Sequence, residues 1–112
     1  MVAFRHRNDR NGAHLAAGLV GYAMDIRPET ILASGRSAHN VAKARHVAMY
    51  LAHIGFGMSL ARVASAFGRD RSTVAHACRQ IEDKRDDPAF DVWLETLEQG
   101  LVTIAPLSQL AA

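Results

Sequence analysis

The residues best suited to chemistry lie in one short run, Arg69–Gln80, which combines basic, hydroxyl and amide side chains. The apolar residues of this region recur at helical spacing and predict one buried face, formed by Val74, Ala77, Cys78 and Ile81. The side chains left outward are Arg71, Ser72, Thr73, His76, Arg79 and Gln80. A guanidinium, two hydroxyls and the free amides of a helix N-terminus suit phosphates and base edges. The run therefore predicts a helix that reads nucleic acid.

Catalytic and metal-binding patterns are absent from the sequence. The six histidines include no pair at i, i+4 with a carboxylate or thiol partner, so we expect no metal site. No serine, histidine and acid stand in a nucleophile-elbow context, and no G-x-x-x-x-G-K-[ST] occurs. The single Cys78 suits a small buried packing residue in a reducing cytoplasm. We expect no enzyme activity, no cofactor and no small-molecule substrate.

The charge of the chain is segregated along its length, although the net charge is only +2. Residues 1–34 carry four basic and three acidic side chains, and residues 35–85 carry nine basic and three acidic ones, a balance of +6. Residues 86–112 carry five acidic side chains and no basic one. The basic middle, which contains Arg69–Gln80, favours a polyanionic partner and above all nucleic acid.

A second short helix precedes the reading helix and completes a helix-turn-helix. Ser59 is a candidate N-cap for a helix that ends near Phe67, and Met58 and Val63 have the spacing of a hydrophobic staple. Gly68 suits a left-handed C-terminal position, and Asp70 can cap the next helix. The pattern predicts a helix-turn-helix with Asp70–Asp83 as its recognition helix.

The rest of the chain predicts further short helices and no strand, hence an all-α domain of five or six helices over residues 13–101. The predicted helices outside the helix-turn-helix are Asn11–Ile26, Pro28–Ala33, Val41–Ile54 and Ala89–Leu101. In the first, the expected core face is Leu15, Leu19, Tyr22 and Ile26. In the third, Ala44, Val47, Ala48, Leu51 and Ile54 should face the core, with Lys43, His46, Tyr50 and His53 opposite and Arg45 beside them. Trp93 is expected to anchor the core rather than to stack on bases.

Both ends of the chain are predicted to lie outside this domain. Residues 1–12 are polar and basic without helical period and predict a flexible arm. Such an arm can reach into a minor groove, and a tail without a role fits equally well. Residues 102–112 have weak periodicity and could form a disordered tail. We expect neither a signal peptide nor a membrane span, because the apolar run at residues 13–24 is short and diluted.

The segment Ala42–Glu82, above all GRDRSTVAHACRQI, closely resembles the C-terminal DNA-binding domain of the bacterial replication initiator DnaA. The resemblance extends from about His14 to Leu97. It implies an all-α fold similar to that of the Trp repressor and a short duplex target, the DnaA box. It also implies a cytoplasmic, nucleoid-associated location.

Residue roles follow from this resemblance position by position. The implied base contacts are Asp70, Arg71, Ser72 and Thr73. Phosphate contacts are expected from Lys43, Arg45, His46, Arg62, Arg69 and Arg79. The family's minor-groove arginine falls near His39, with Arg36 the nearest arginine.

The sequence departs from the family pattern at several of these positions. Arg71 replaces the usual histidine, and an arginine can donate two hydrogen bonds to guanine, so base preference should shift. Ala44 and Ala61 stand where prolines are usual, and Arg62 replaces a glutamate that would complete a capping box with Ser59.

Two functions fit the sequence. The first is sequence-specific binding of double-stranded DNA at DnaA-box-like sites, in control of replication initiation or transcription, without ATPase activity. The second is a protein-interaction module that binds the replication initiator or its regulators and modulates initiator activity. The acidic C-terminal helix with Phe90 and Trp93 motivates the second function.

Overall fold

The structure is a computed structural model that describes the backbone of residues 2–110 and the side chains of residues 8–107. It is all-helical over the described backbone, as the sequence predicts. Six helices follow one another along the chain: α1 (Val2–Met24), α2 (Pro28–Leu32), α3 (His39–Gly55), α4 (Leu60–Phe67), α5 (Arg71–Lys84) and α6 (Pro88–Leu110). No helix of the described part is long and apolar enough to cross a membrane.

Helix α1 begins much earlier than the sequence indicates. The arm predicted over residues 1–12 is helical from Val2, so that prediction is wrong for residues 2–12, while residue 1 lies outside the described backbone. Asp9 and Gly12 are already buried, because Asp9 pairs with Arg62 of α4 and Gly12 packs against the turn before α4. The tight end of α1 requires glycine at position 21. A β-carbon there would lie 2.3 Å from the carbonyl oxygen of Ile26.

The face of α1 that packs inward is also different from the predicted one. Tyr22 is 90% exposed, and Leu15 and Leu19 are only partly buried. The buried side chains of α1 are small ones, Ala13, Ala16, Ala17 and Val20. Small side chains let the α1 and α3 backbones approach closely. Helix α1 therefore buries its face of small residues rather than the face of larger apolar residues that periodicity predicts.

Helix α3 is the central helix and packs against the five others. It is consequently buried on nearly all sides, so its predicted outer stripe is only partly correct. Tyr50 is 3% exposed and Arg45 is 5% exposed, whereas Ile54, predicted to face the core, is 50% exposed.

Helix α6 closes the fold and extends through most of the predicted tail. Residues 102–110 are helical, so the disordered tail is wrong for them, and residues 111 and 112 lie outside the described backbone. Leu94, Leu97 and Leu101 are buried, and Trp93 packs against the core with its ring centroid 5.6 Å from that of Phe90. The prediction of Trp93 as a packing residue is confirmed.

The buried Tyr50 hydroxyl of α3 is satisfied by an ionic cluster at the end of α5. Arg85 donates to Asp91 Oδ1 at 2.6 Å, to Glu98 Oε1 at 3.1 Å and to the Tyr50 hydroxyl at 3.1 Å. The Tyr50 hydroxyl in turn donates to Glu82. These bonds join α3, α5 and α6, and they use two of the five C-terminal acidic residues inside the molecule.

Candidate nucleic-acid interface

The recognition helix α5 presents its amino end to the solvent. Its inner face is formed by the four predicted residues, all buried, so the first turn of the helix projects outward. Arg71, Ser72 and Thr73 are exposed, and so is Asp70, which occupies the N-cap position. The Asp70 side chain makes no capping hydrogen bond, and its carboxylate is thus available to an external donor. The first amides of α5 also lack intrahelical acceptors, as at every helix start.

The turn between α4 and α5 fixes the direction of the exposed start of α5, Asp70–Thr73, which we call the reading end. Ser59 caps α4 by accepting a hydrogen bond from the Arg62 amide at 3.2 Å. Gly68 has φ +64°, a left-handed conformation that side chains rarely adopt, and the Arg69 amide donates to the Ala64 carbonyl at 2.9 Å. The predicted helix-turn-helix, the Ser59 cap and the Gly68 turn are confirmed, whereas Asp70 occupies its N-cap position without a side-chain capping bond.

Two arginines predicted to contact phosphates instead hold the loop between α2 and α3. Arg45 donates to the Ile31 carbonyl at 2.7 Å and to the Ser37 hydroxyl at 2.8 Å, and it is nearly fully buried. The phosphate role of Arg45 is therefore corrected to a structural one. Arg69 donates to the Ala33 carbonyl at 2.7 Å, an oxygen that Arg45 also reaches at 3.3 Å.

The hydrogen bonds of Arg45 and Arg69 hold the loop that carries Arg36, a predicted minor-groove residue, beside the helix-turn-helix. Arg69 lies in the turn before α5 and also binds the Gly35 carbonyl at 3.2 Å, directly before Arg36. Arg36 and His39 are both exposed, in the loop and at the first turn of α3. Burial, followed by the nearby charge of Arg69, lowers the pKa of Arg45. Both cations face only neutral oxygens in these bonds, so their charge contributes to a positive field around the reading end.

Arg62 is the third predicted phosphate contact that the structure uses internally. Its guanidinium forms a two-pronged ion pair with Asp9 of α1, at 3.0 Å to Oδ2 and 2.5 Å to Oδ1. This hydrogen bonding raises the pKa of Arg62. The Asp9 side chain is buried, so Arg62 neutralises it and anchors α4 to α1. Arg62, which departs from the glutamate usual in the family pattern, thus pairs with Asp9. The two residues are far apart in the sequence, so periodicity could not reveal this pair.

The remaining predicted phosphate contacts are accessible. Arg79 is exposed on α5, whereas Lys43 and His46 are half-buried on α3. Lys43 and His46 line a cleft of about 270 Å³ between α3 and α5. The cleft side chains that carry a polar group are His39, Lys43, His46, Gln80 and Lys84.

Sequence reasoning missed the contribution of α5 to this cleft. The sequence predicts Gln80 on the outward face, and Lys84 is one of the nine basic side chains of residues 35–85 with no further predicted role. The spacing of His76, Gln80 and Lys84 at intervals of four residues was the available signal, because such residues share one side of a helix.

Comparison with known proteins identifies sequences and structures similar to this chain. A family model described as "Bacterial dnaA protein helix-turn-helix" matches residues 18–81. A Chlamydia trachomatis protein named chromosomal replication initiator protein DnaA 2 is 40% identical over 71 residues, 63% of this chain and 15% of that protein. Its namesake from Chlamydia muridarum is 48% identical over 53 residues, 47% of this chain and 12% of that protein.

Solved structures resemble nearly the whole chain. One, titled as a crystal structure of a DNA replication initiation factor, has a TM-score of 0.76 and 29% identity over 88% of this chain. Another, the replication initiator DnaA bound to AMPPCP and single-stranded DNA, has a TM-score of 0.75 and 28% identity over 89% of this chain. In both cases this chain covers 30% of the solved one. The chain therefore spans only a small part of the relatives that it matches.

Proposed function

This chain belongs to the bacterial DnaA helix-turn-helix family, and on that premise we propose that it binds double-stranded DNA sequence-specifically at DnaA-box-like sites. The observation that carries the proposal is the exposed first turn of α5, where Asp70, Arg71, Ser72 and Thr73 surround free backbone amides. The wide major groove of B-DNA admits an α-helix, and its base edges offer acceptors to a guanidinium and to hydroxyls. The proposed role is control of replication initiation or transcription at the nucleoid, in the cytoplasm.

The residues proposed to contact the minor groove and the phosphates lie at different places around the start of α5. Arg36 lies on the loop that Arg69 fastens to the helix-turn-helix, and His39 begins α3 directly after this loop, which supports their approach to an adjacent minor groove. Lys43, His46 and Arg79 supply phosphate contacts, and Arg69 contributes positive charge while positioning the loop. If about four phosphates are contacted, log K should fall with log salt at a slope of about −3.6.

Arg71→Ala tests the reading end. We expect it to weaken binding to the preferred duplex by about 1–3 kcal/mol and to relax preference at one base position. The duplex is obtained by selection from a random pool, and affinity is measured by fluorescence anisotropy. Arg27→Ala is the matched control, because Arg27 is an exposed arginine in the segment between α1 and α2. Equal losses on preferred and unrelated duplexes would contradict the proposal.

We also propose that this chain binds DNA without hydrolysing ATP. The printed sequence has no phosphate-binding loop of the G-x-x-x-x-G-K-[ST] type, and the matched family segment is the helix-turn-helix alone. Adding ATP with magnesium should leave both the duplex affinity and the melting temperature unchanged.

The protein-interaction alternative loses part of its motivation. Asp91 and Glu98 are paired with Arg85, and Phe90 and Trp93 pack against the core. These features stabilise α6 in the fold, so DNA binding is the function that we retain.

A further inference from the structure

The described side chains that line the cleft between α3 and α5 include basic ones and no acidic one. Among the described residues, no hydrogen bond or ion pair is formed by the side chains of His39, Lys43, His46 or Lys84. The nearest acidic side chains along α5 do not line the cleft. Glu82 is bonded to the Tyr50 hydroxyl, and Asp83 lies on the exposed surface of α5. A cleft lined by cations and lacking a carboxylate is suited to an anion.

The donor set of the cleft is that of a phosphate site. Two ammonium groups supply compact charges, the Gln80 amide supplies a neutral donor, and an imidazole can donate through a ring nitrogen. The cleft also continues the side of α5 that begins at the reading end. Thr73, His76, Gln80 and Lys84 follow one side of the helix, and eleven residues correspond to about 16 Å. A single duplex can therefore engage both ends of this stripe.

His46 gives the cleft a dependence on pH. Burial, followed by the charges of Arg45, His76, Lys84 and Arg69, lowers the pKa of His46. Lys43 and His39 line the same cleft, so the charged and titratable side chains that line it, and those whose charges lower this pKa from α3, α5 and the α4–α5 turn, are all basic. The imidazole is consequently mainly neutral near neutral pH, while an adjacent phosphate would favour its protonated form.

We propose that the DNA phosphate contacted by Lys43 and His46 is seated in this cleft by Gln80 and Lys84 of α5 as well, and that seating it draws a proton onto His46. The proposal rests on the proposed function and adds a site and a regulation to it. Because the bound form takes up a proton, affinity should rise as the pH falls through the interval between the free and the bound pKa of His46. Acidification would thus strengthen attachment to DNA without changing the residues that read bases.

The test measures duplex affinity of the full chain at about pH 8 and about pH 6, at constant ionic strength, by fluorescence anisotropy. We expect the wild-type affinity to rise about three- to tenfold between these values. His46→Gln should lose most of this rise. His46→Arg, with a permanent charge, should bind tightly at both values. His14→Gln is the control, since His14 is exposed on α1 and bonded to the Arg10 carbonyl.

A second variant tests the α5 side of the cleft independently of titration. Lys84→Gln should weaken binding to all duplexes alike and make the salt slope shallower by about 1. A pH-dependent rise that persists unchanged in His46→Gln, or an unchanged salt slope in Lys84→Gln, would overturn the cleft proposal. Tight, sequence-specific binding without pH dependence would overturn it while leaving the proposed function intact. No duplex binding at either pH would overturn both.

Discussion

At the scale of single residues, the structure divides the basic side chains by what they face. Arg62 faces a buried carboxylate, Arg45 and Arg69 face loop carbonyls, and Lys43 faces an open cleft. All four lie in the basic middle of the chain and cannot be distinguished there by charge alone. Their partners assign two kinds of role, the positioning of loops and helices and the neutralisation of DNA phosphates.

Lys43→Ala and Arg62→Ala should separate these two roles. Removing Lys43 should make the salt slope of DNA binding shallower by about 1 and change stability little. Removing Arg62 leaves the Asp9 carboxylate buried without its partner, so unfolding should become easier by about 2–3 kcal/mol. Urea denaturation and salt titrations of duplex binding measure the two effects.

The double variant Asp9→Leu/Arg62→Met completes this comparison. Replacing both charges by apolar groups should restore most of the stability that Arg62→Ala loses. A stable Arg62→Ala protein with a shallower salt slope would show that Arg62 contacts DNA after all.

At the scale of elements, the recognition helix is held from both ends. The glycine turn and Arg69 fix its start, while Arg85 fixes its end through α6 and Tyr50 of α3. Helix α6 is therefore a support for α5 rather than an appended acidic tail. Its close approach to α3 is visible at Gly55, where a β-carbon would lie 2.6 Å from Leu101 Cδ2.

Leu101→Ala tests the contribution of the end of α6. Leu101 is buried and packs beside α3, so its truncation should cost about 2–5 kcal/mol in the free energy of unfolding. Val102→Ala is the matched control because Val102 is 64% exposed, and it should change stability by less than about 0.5 kcal/mol. Urea denaturation of both variants provides the comparison. Equal and small effects would mean that the helix beyond residue 100 does not support the fold.

At the scale of the whole molecule, charge is arranged so that the reading side stays basic. Three of the five C-terminal acidic residues lie on α6, and two of these, Asp91 and Glu98, are bound to Arg85. These ion pairs hold the acidic helix at the carboxyl end of α5, and the amino end of α5 is exposed. The segregation of charge along the sequence thus becomes a segregation in space, which favours approach of a duplex from one side.

The same cluster should make the folded molecule sensitive to alkaline pH. Burial, followed by the hydrogen bond to Glu82, raises the pKa of Tyr50 to about 12. Folding favours the neutral phenol, so this group stabilises the fold fully below about pH 10 and loses its contribution as the pH rises towards 12. In Tyr22→Phe, Tyr50 is the remaining one of two tyrosines, and its ultraviolet titration should have a midpoint of about 12.

Tyr50→Phe supplies the control for this pH dependence. Without the hydroxyl, the stability measured by urea denaturation should fall less steeply between about pH 10 and about pH 12. A titration midpoint in Tyr22→Phe at the ordinary value of a free phenol would contradict the buried cluster.

The sequence by itself determined the all-α class, the helix-turn-helix and its recognition helix. These features depend on local chemistry: Ser59 as a cap, Gly68 in a left-handed turn, and an apolar face on α5 repeated at the helical period. Local chemistry is written in neighbouring residues, so it can be read without knowing the tertiary partners. The exposure of the reading end follows from the same periodicity.

Only the tertiary structure decided which cations are free and where the helices begin and end. Arg62 meets Asp9 across 53 positions of sequence, and Tyr50 meets Arg85 across 35. Such long-range contacts determine burial, and burial decides whether a charge holds the fold or faces a ligand. The extent of α1 before its predicted core is decided in the same way, because Asp9 of this helix is buried against α4, which its own periodicity does not indicate.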